Sequence, residues 1–293
     1  MKPAPFKYLS PSSVDEALQM IEQYGPDAKL LAGGQSLLPA MNFRLLQPSA
    51  LIDLNQIPSL SYIRSAEGGG LRIGAMTRQS QVEHDPAIAE LVPLLHETMP
   101  RIAHLQIRNR GTIGGSLVHA DPAAELPVVT VALRCQFKLR SLKGSRWVSA
   151  PEFFVGMFTT DLQPDEILEE IAVESSPERT GWAFLEVARR SGDYAMAGVA
   201  AMLELDESET ISGARLVYLN LGDGPVEASQ AEEHLLGRSP KADAFVEAGR
   251  VAAEEEIVPF GNLHATPEYQ RHLAQVLTQR ALTQAAERAR ARR

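Results

Sequence analysis

Two glycine pairs, Gly33-Gly34 and Gly114-Gly115, each follow an apolar or extended segment and lead into a hydroxyl residue, Ser36 and Ser116. Glycine lets successive backbone N–H groups turn toward one point with no Cβ in the way, and the hydroxyl adds a further donor. The two bends are Ala32, Gly33, Gly34, Gln35, Ser36 and Thr112, Ile113, Gly114, Gly115, Ser116. Converging from separate lobes, they would clamp one diphosphate. The plain alternative is a pair of tight turns, and for either pair taken alone a turn is the commoner outcome. Neither bend fits GxGxxG or GxxxxGK[ST], so the spacing does not indicate a Rossmann or P-loop site.

Periodicity sets the surroundings of these bends. Ser12 or Ser13 is placed to cap a helix in which Val14, Leu18 and Ile21 recur at helical spacing, with Gly25 as its stop. Residues 28–32 read as an apolar strand running into the first bend, and residues 51–54 as another strand. Residues 61–77 read as a hairpin about a glycine-rich turn, and Asp85-Pro86 marks a helix start. The second bend reads as glycine-rich loop first and helix from about Pro122. A hairpin near 136–148 and a strand near 167–173 follow. Residues 175–180 read as a linker, then three strand-like segments, then helix from about 228. The expected class is α+β: lobes over 1–55 and 56–175, and a third over 176–293 with a small antiparallel sheet against helices.

Composition removes several function classes. A net charge of −9 argues against nucleic acid as the main partner. The basic end, Arg288, Arg290, Arg292 and Arg293, reads as a solvated helix terminus, and Glu254, Glu255 and Glu256 as a solvated helix face. No apolar run approaches the roughly 20 residues of a membrane helix, and the N-terminus lacks a signal-peptide core. A cytoplasmic protein is expected. Cys135 is the single cysteine. It cannot form an intrachain disulfide or supply the four thiolates of an iron–sulfur cluster, so any cluster must sit on another chain. Its apolar neighbours point to a buried structural thiol. The seven histidines form no HExxH and no paired metal spacing. His119 and Asp121 are too few for a metal site and are expected to shape the second bend through hydrogen bonds.

The segments AGGQSLLPAMNFRL and RNRGTIGGSLVHADPAAELP are followed in matching order by DEILEEI, VARRSGDYAMAGVAAML and NLHATPEYQRHLAQVLTQRAL. Together they make the chain resemble the flavin subunits of the xanthine dehydrogenase and carbon monoxide dehydrogenase family, the molybdenum hydroxylases. The likeness runs from about residue 4 to residue 285 and is nearest to the separate medium subunits of bacterial enzymes. It implies a two-lobed FAD-binding domain of the vanillyl-alcohol-oxidase (PCMH) type, with a C-terminal α+β domain covering the cofactor. Residues 32–36 and 112–116 would then hold the pyrophosphate and adjacent ribityl chain through backbone donors. Glu125 would bind ribityl or adenosine hydroxyls, and Leu168 would pack on the adenine or dimethylbenzene part. Tyr194 matches an aromatic position beside the isoalloxazine and would gate its reactive edge. A tyrosine beginning a strand is, on its own, more often core packing. Asp193 and Arg189 would shape the same wall or form a surface ion pair. Where relatives often place a lysine near Glu186, this chain has none, which leaves the N1–C2 region of the flavin without an obvious positive partner.

The implied function is an FAD-binding subunit that passes electrons from [2Fe–2S] clusters on a small partner subunit to an external acceptor. Molybdopterin would sit on a large partner subunit, in a dimer of heterotrimers. Two other readings remain open at the level of sequence. A self-sufficient FAD-dependent oxidoreductase of the same fold would need a catalytic acid or base above the flavin, and none is identifiable. A non-enzymatic nucleotide-binding protein would use its glycine pairs merely as turns.

Overall fold

Ser13 caps the first helix, Val14–Tyr24, by accepting from the Glu16 amide, and Gly25 ends it at φ 58°. The computed structural model describes residues 2–292. Strands β1 (Lys7–Leu9), β2 (Ala28–Leu31) and β3 (Ala50–Asp53) form a parallel sheet in the order β1-β3-β2. The apolar stripe Val14, Ala17, Leu18, Ile21 packs on Ile52 and Leu54, giving this short segment a small core of its own.

The second sheet is antiparallel, with β4 (Ile63–Ser65), β5 (Leu71–Gly74), β6 (Gln136–Ser141), β7 (Gly144–Ser149) and β10 (Ile167–Val173) in the order β4-β5-β10-β6-β7. Strands β8 (Phe154–Gly156) and β9 (Thr159–Thr160) make a separate two-stranded hairpin. Phe137 and Phe153 meet edge to face at 4.8 Å within the core under the sheet. Cys135 lies in the same core, and burial pushes its thiol up to about 12. It should therefore resist a thiol reagent in the folded chain and react with one equivalent after denaturation. Equal labelling rates in the two states would contradict this burial.

The segment around the second glycine pair differs from the expectation. Its helix spans Ile113–His119, so the pair forms the first helical turn, and a second helix starts at Glu125. Thr112 supplies the cap by accepting from the Gly115 amide at 3.1 Å. A capping threonine offsets part of the poor helix propensity of two glycines, and close packing of Gly114 on Ala75 adds to it.

In the third sheet β11 (Thr180–Ala188), β12 (Ala195–Leu205), β13 (Ile211–Leu219) and β14 (Val226–Glu227) are antiparallel neighbours in chain order. Alternation along β11 divides it between two cores. Ala183, Leu185 and Val187 face the C-terminal helices, whereas Trp182 and Phe184 join the core of the second sheet. The long helix Pro267–Ala291 lies against β11 so closely that a Cβ on Gly181 would sit 1.7 Å from the Ala285 carbonyl oxygen.

The basic end is less solvated than expected, whereas Glu254 and Glu255 are exposed. Arg288 donates to Glu97 at 2.6 Å and to the Trp182 carbonyl at 2.7 Å, tying the last helix to the second sheet's layer. Glu256 accepts from the amides of Gln230 and Ala231, and Glu254 pairs with Arg250. Arg293 lies outside the described residues. Among the described residues no helix is long and apolar enough to cross a membrane.

Candidate functional site

The two glycine bends touch. A Cβ on Gly33 would lie 2.5 Å from the Arg110 carbonyl oxygen and 2.7 Å from Gly111 Cα, and one on Gly115 would lie 3.3 Å from Ala32 Cβ. Close backbone approach is thus one reason for glycine here, independent of any ligand. A polar bracket holds the contact. Asn55 donates to the Ala32 carbonyl at 2.9 Å and accepts from Arg78 at 2.6 Å, while Arg78 also donates to the Arg110 carbonyl.

Both bends open into one cleft of about 830 Å³, within the size range of cofactor pockets. Its walls include Ala32, Gly33, Gly34, Gln35 and Ser36 from the first bend, and Thr112, Gly114, Gly115 and Ser116 from the second. Glu125, Leu168 and Tyr194 line the same space. Ile113 does not. Its side chain is fully buried in the core under the second sheet, because it occupies the inward face of the first turn of helix Ile113–His119.

Backbone donors are distributed unequally between the bends. Among the described residues no protein acceptor takes the amides of Gly33, Gly34, Gln35 or Ser36. Gly34 has φ 74°, and the Gln35 side chain donates to the Gly33 carbonyl at 3.0 Å, which steadies the turn. An unspent run of amides about a left-handed glycine is a ready anion cradle. In the second bend most of the expected backbone donors are already spent on the protein. Ile113 donates to Thr77 O at 3.0 Å, Gly114 to Ala75 O at 2.8 Å, and Ser116 to Thr112 O at 3.2 Å. With the Gly115 amide on Thr112, every amide from Ile113 to Ser116 is engaged, and among the described residues the Thr112 amide and the Ser116 hydroxyl are left as the donors without a protein partner. The physical reason is that residues 111–114 are stitched antiparallel to residues 75–79 and then enter a helix.

Other residues enter the wall that the motifs did not indicate. Gln79 is 5% exposed and its Oε1 is buried without a partner, an orphaned acceptor suited to a ligand hydroxyl. Lys29 brings a positive charge to the same space. Neither lies in a recognisable pattern, because the two belong to different elements that only the fold brings together.

Tyr194 is 72% exposed on the cleft's rim, which removes the core-packing alternative. Partial loss of hydration and then the charges of Asp121, Glu125 and Asp193 oppose ionisation of its hydroxyl. Asp193 lines the cleft and pairs with Arg190 at 3.3 Å, not with Arg189, which lies 3.5 Å from His264. His119 contributes ring packing against Phe158, with centroids 5.2 Å apart, in place of the expected hydrogen bonds. Burial pushes the Glu125 carboxyl up to about 7, with Asp121 adding to the effect. Free amides, an orphaned acceptor, apolar walls at Leu168 and an aromatic rim together fit a dinucleotide with a planar ring system.

Comparison with known proteins agrees with this fit. Residues 4–174 match the family described as the FAD binding domain in molybdopterin dehydrogenase. Residues 182–285 match the CO dehydrogenase flavoprotein C-terminal domain. The alpha subunit of the 6-hydroxypseudooxynicotine dehydrogenase complex of Paenarthrobacter nicotinovorans is 40% identical over 290 residues, covering 99% of this chain and 97% of that protein. The carbon monoxide dehydrogenase medium chain of Hydrogenophaga pseudoflava is 38% identical, covering 97% and 98%. A solved structure of the carbon monoxide dehydrogenase from Hydrogenophaga pseudoflava matches with a TM-score of 0.95, covering 98% of this chain and 99% of that one at 38% identity.

Proposed function

Because the chain belongs to the family of FAD-binding medium subunits of molybdenum hydroxylases, we propose that it relays electrons from partner-borne [2Fe–2S] clusters, through FAD, to an external acceptor. The observation that carries this reading is the unspent amide run of residues 33–36 opening into the same cleft as Glu125, Leu168 and Tyr194. FAD, when bound, accepts electrons singly and can deliver them as a pair. The chain's own part is to seat, orient and shield.

In this reading the amides of Gly33, Gly34, Gln35 and Ser36 hold the diphosphate and Lys29 offsets its charge. The Ser116 hydroxyl and the orphaned Gln79 Oε1 take the ribityl or ribose hydroxyls, as does Glu125. Leu168 packs on a ring, and Tyr194 stands at the mouth where an acceptor would approach. The lobes over 1–55 and 56–175 form the cofactor domain, with 176–293 as its cover. Clusters and molybdopterin belong to a small and a large partner subunit. Among the described residues no group of three or more His, Cys, Asp or Glu is placed to hold a metal ion.

The native complex, purified with its metals and flavin quantified, provides the test. Removing FAD should stop delivery to the external acceptor while substrate still reduces the clusters. An FAD-free complex that served the acceptor at the original rate would overturn the relay. A chain that turned over substrate alone, with no partner, would favour a self-sufficient oxidoreductase.

A further inference from the structure

A peptide unit is planar and trans, so its C=O and its N–H point opposite ways. Fixing a carbonyl therefore aims the amide of the next residue. In the first glycine bend three successive carbonyls are fixed. The Ala32 carbonyl accepts from Asn55 Nδ2 at 2.9 Å, the Gly33 carbonyl from Gln35 Nε2 at 3.0 Å, and the Gly34 carbonyl from the Leu38 amide at 3.1 Å. The amides that follow them, of Gly33, Gly34 and Gln35, have no protein acceptor among the described residues, and all three residues line the cleft. Gln35 and Leu38 belong to the bend and to the helix Leu37–Asn42 that continues it. Asn55 reaches in from just beyond β3, 23 residues along the chain, and lies outside the cleft's wall.

We infer that Asn55 is a positioning residue for the cofactor's diphosphate: it holds the Ala32 carbonyl from behind the bend and so turns the Gly33 amide into the cleft. The inference rests on the reading of the cleft as the FAD site. The Asn55 side chain is itself held at both ends. Asp53 Oδ1 accepts from the Asn55 backbone amide at 2.9 Å and from Asn55 Nδ2, and Arg78 donates to Asn55 Oδ1 at 2.6 Å. These neighbours decide which end is the donor, because the reverse orientation would set an oxygen against two oxygens and an amide NH2 against a guanidinium. Arg78 also holds the Arg110 carbonyl, against which Gly33 packs, so the bracket sets the Gly33 amide relative to the second bend as well. That bend obeys the same rule: the Gly111 carbonyl accepts from the Gln79 amide at 2.9 Å, and the amide that follows, of Thr112, is unspent.

A donor aimed in advance meets an anion without further ordering, whereas a peptide free to turn must be ordered when the anion binds. Without Asn55 the peptide between Ala32 and Gly33 can turn, and a carbonyl oxygen that faces a phosphate repels it. The loss is then about that of one hydrogen bond to a charged group.

Fluorescence titration and phosphorus NMR of FAD bound to the full chain read this role. Asn55→Ala should weaken FAD binding by roughly tenfold. At saturating FAD it should also move the bound diphosphate's resonances toward those of free FAD. Asn55→Asp keeps the shape but sets an acceptor against the Ala32 carbonyl, so its loss should exceed that of Asn55→Ala. If shape alone mattered, the order would be reversed. Should the alanine variant fail to fold, the resonances of FAD bound to Asn55→Asp carry the test. Resonances unchanged from those in the unaltered chain, or a smaller loss for Asn55→Asp than for Asn55→Ala, would overturn the inference and leave the cofactor reading standing. No FAD binding by the unaltered chain would overturn both.

Discussion

Gly34→Val is expected to strip FAD from the chain while leaving the chain folded. Gly34 sits at φ 74°, where an L-residue with a branched side chain is strained by about 1–2 kcal/mol or more. Its added Cβ would meet only the flexible ends of Leu38, at 3.0 Å, and Leu31, at 3.2 Å. The bend can therefore relax locally, at the expense of the converging amides. A hydrogen bond to a charged group contributes about 1.5–3 kcal/mol, so loss of two should weaken FAD binding by at least about a hundredfold. Fluorescence titration with FAD measures the loss, and far-UV circular dichroism checks the fold. A Kd within about threefold of the original would remove the first bend from the diphosphate site. Ser116→Ala should be milder, about tenfold, because a single neutral hydroxyl is lost. Gly114→Ala would be a poor probe of the site, since its Cβ would lie 2.6 Å from Ala75 Cβ and damage the packing itself.

Gly181→Ala should destabilise the fold severely through one added methyl group. The new Cβ would fall 1.7 Å from the Ala285 carbonyl oxygen and 2.6 Å from the Ala289 nitrogen, both backbone atoms of the last helix. Neither can rotate aside, so the helix must lift from β11 along a core that includes Leu277, Ala281 and Ala285. Overpacking of this kind costs about 1–3 kcal/mol where side chains yield, and more where backbone must move. A drop in thermal midpoint on the order of 10 °C is expected for a chain of this size. Differential scanning calorimetry of the full chain measures it. An unchanged midpoint would mean that the helix does not lie on β11 at Gly181.

Much of the architecture was legible because its signals are local. A capping serine before the Val14, Leu18, Ile21 stripe, the glycine-rich turn between β4 and β5, and the Asp85-Pro86 helix start each announce themselves within a few residues. Helix Ile113–His119 was hidden because two glycines argue against helix, and what overrides them is Thr112 as cap together with packing against Ala75. Convergence of the two bends could be anticipated from motif order. The engagement of the Ile113 and Gly114 amides could not, since their acceptors at Thr77 and Ala75 lie on a distant strand end with no sequence signature. Gln79 escaped for a similar reason: an orphaned oxygen is defined by what fails to surround it, and that is a property of the folded neighbourhood.

Unequal spending of backbone donors also dictates how a chain that has lost its cofactor should fail. Segment 111–119 spends all but the Thr112 amide on the protein, whereas the amides of residues 33–36 have no protein acceptor among the described residues and, on the proposed reading, meet the cofactor. Emptied of flavin, the protein should first become vulnerable to proteases near the Gln35–Ser36 stretch, with the parallel three-stranded sheet shed before the rest. The prosthetic group would then act as a rivet for the amino-terminal fifth of the molecule, and turnover of the polypeptide in a cell short of flavin would begin there.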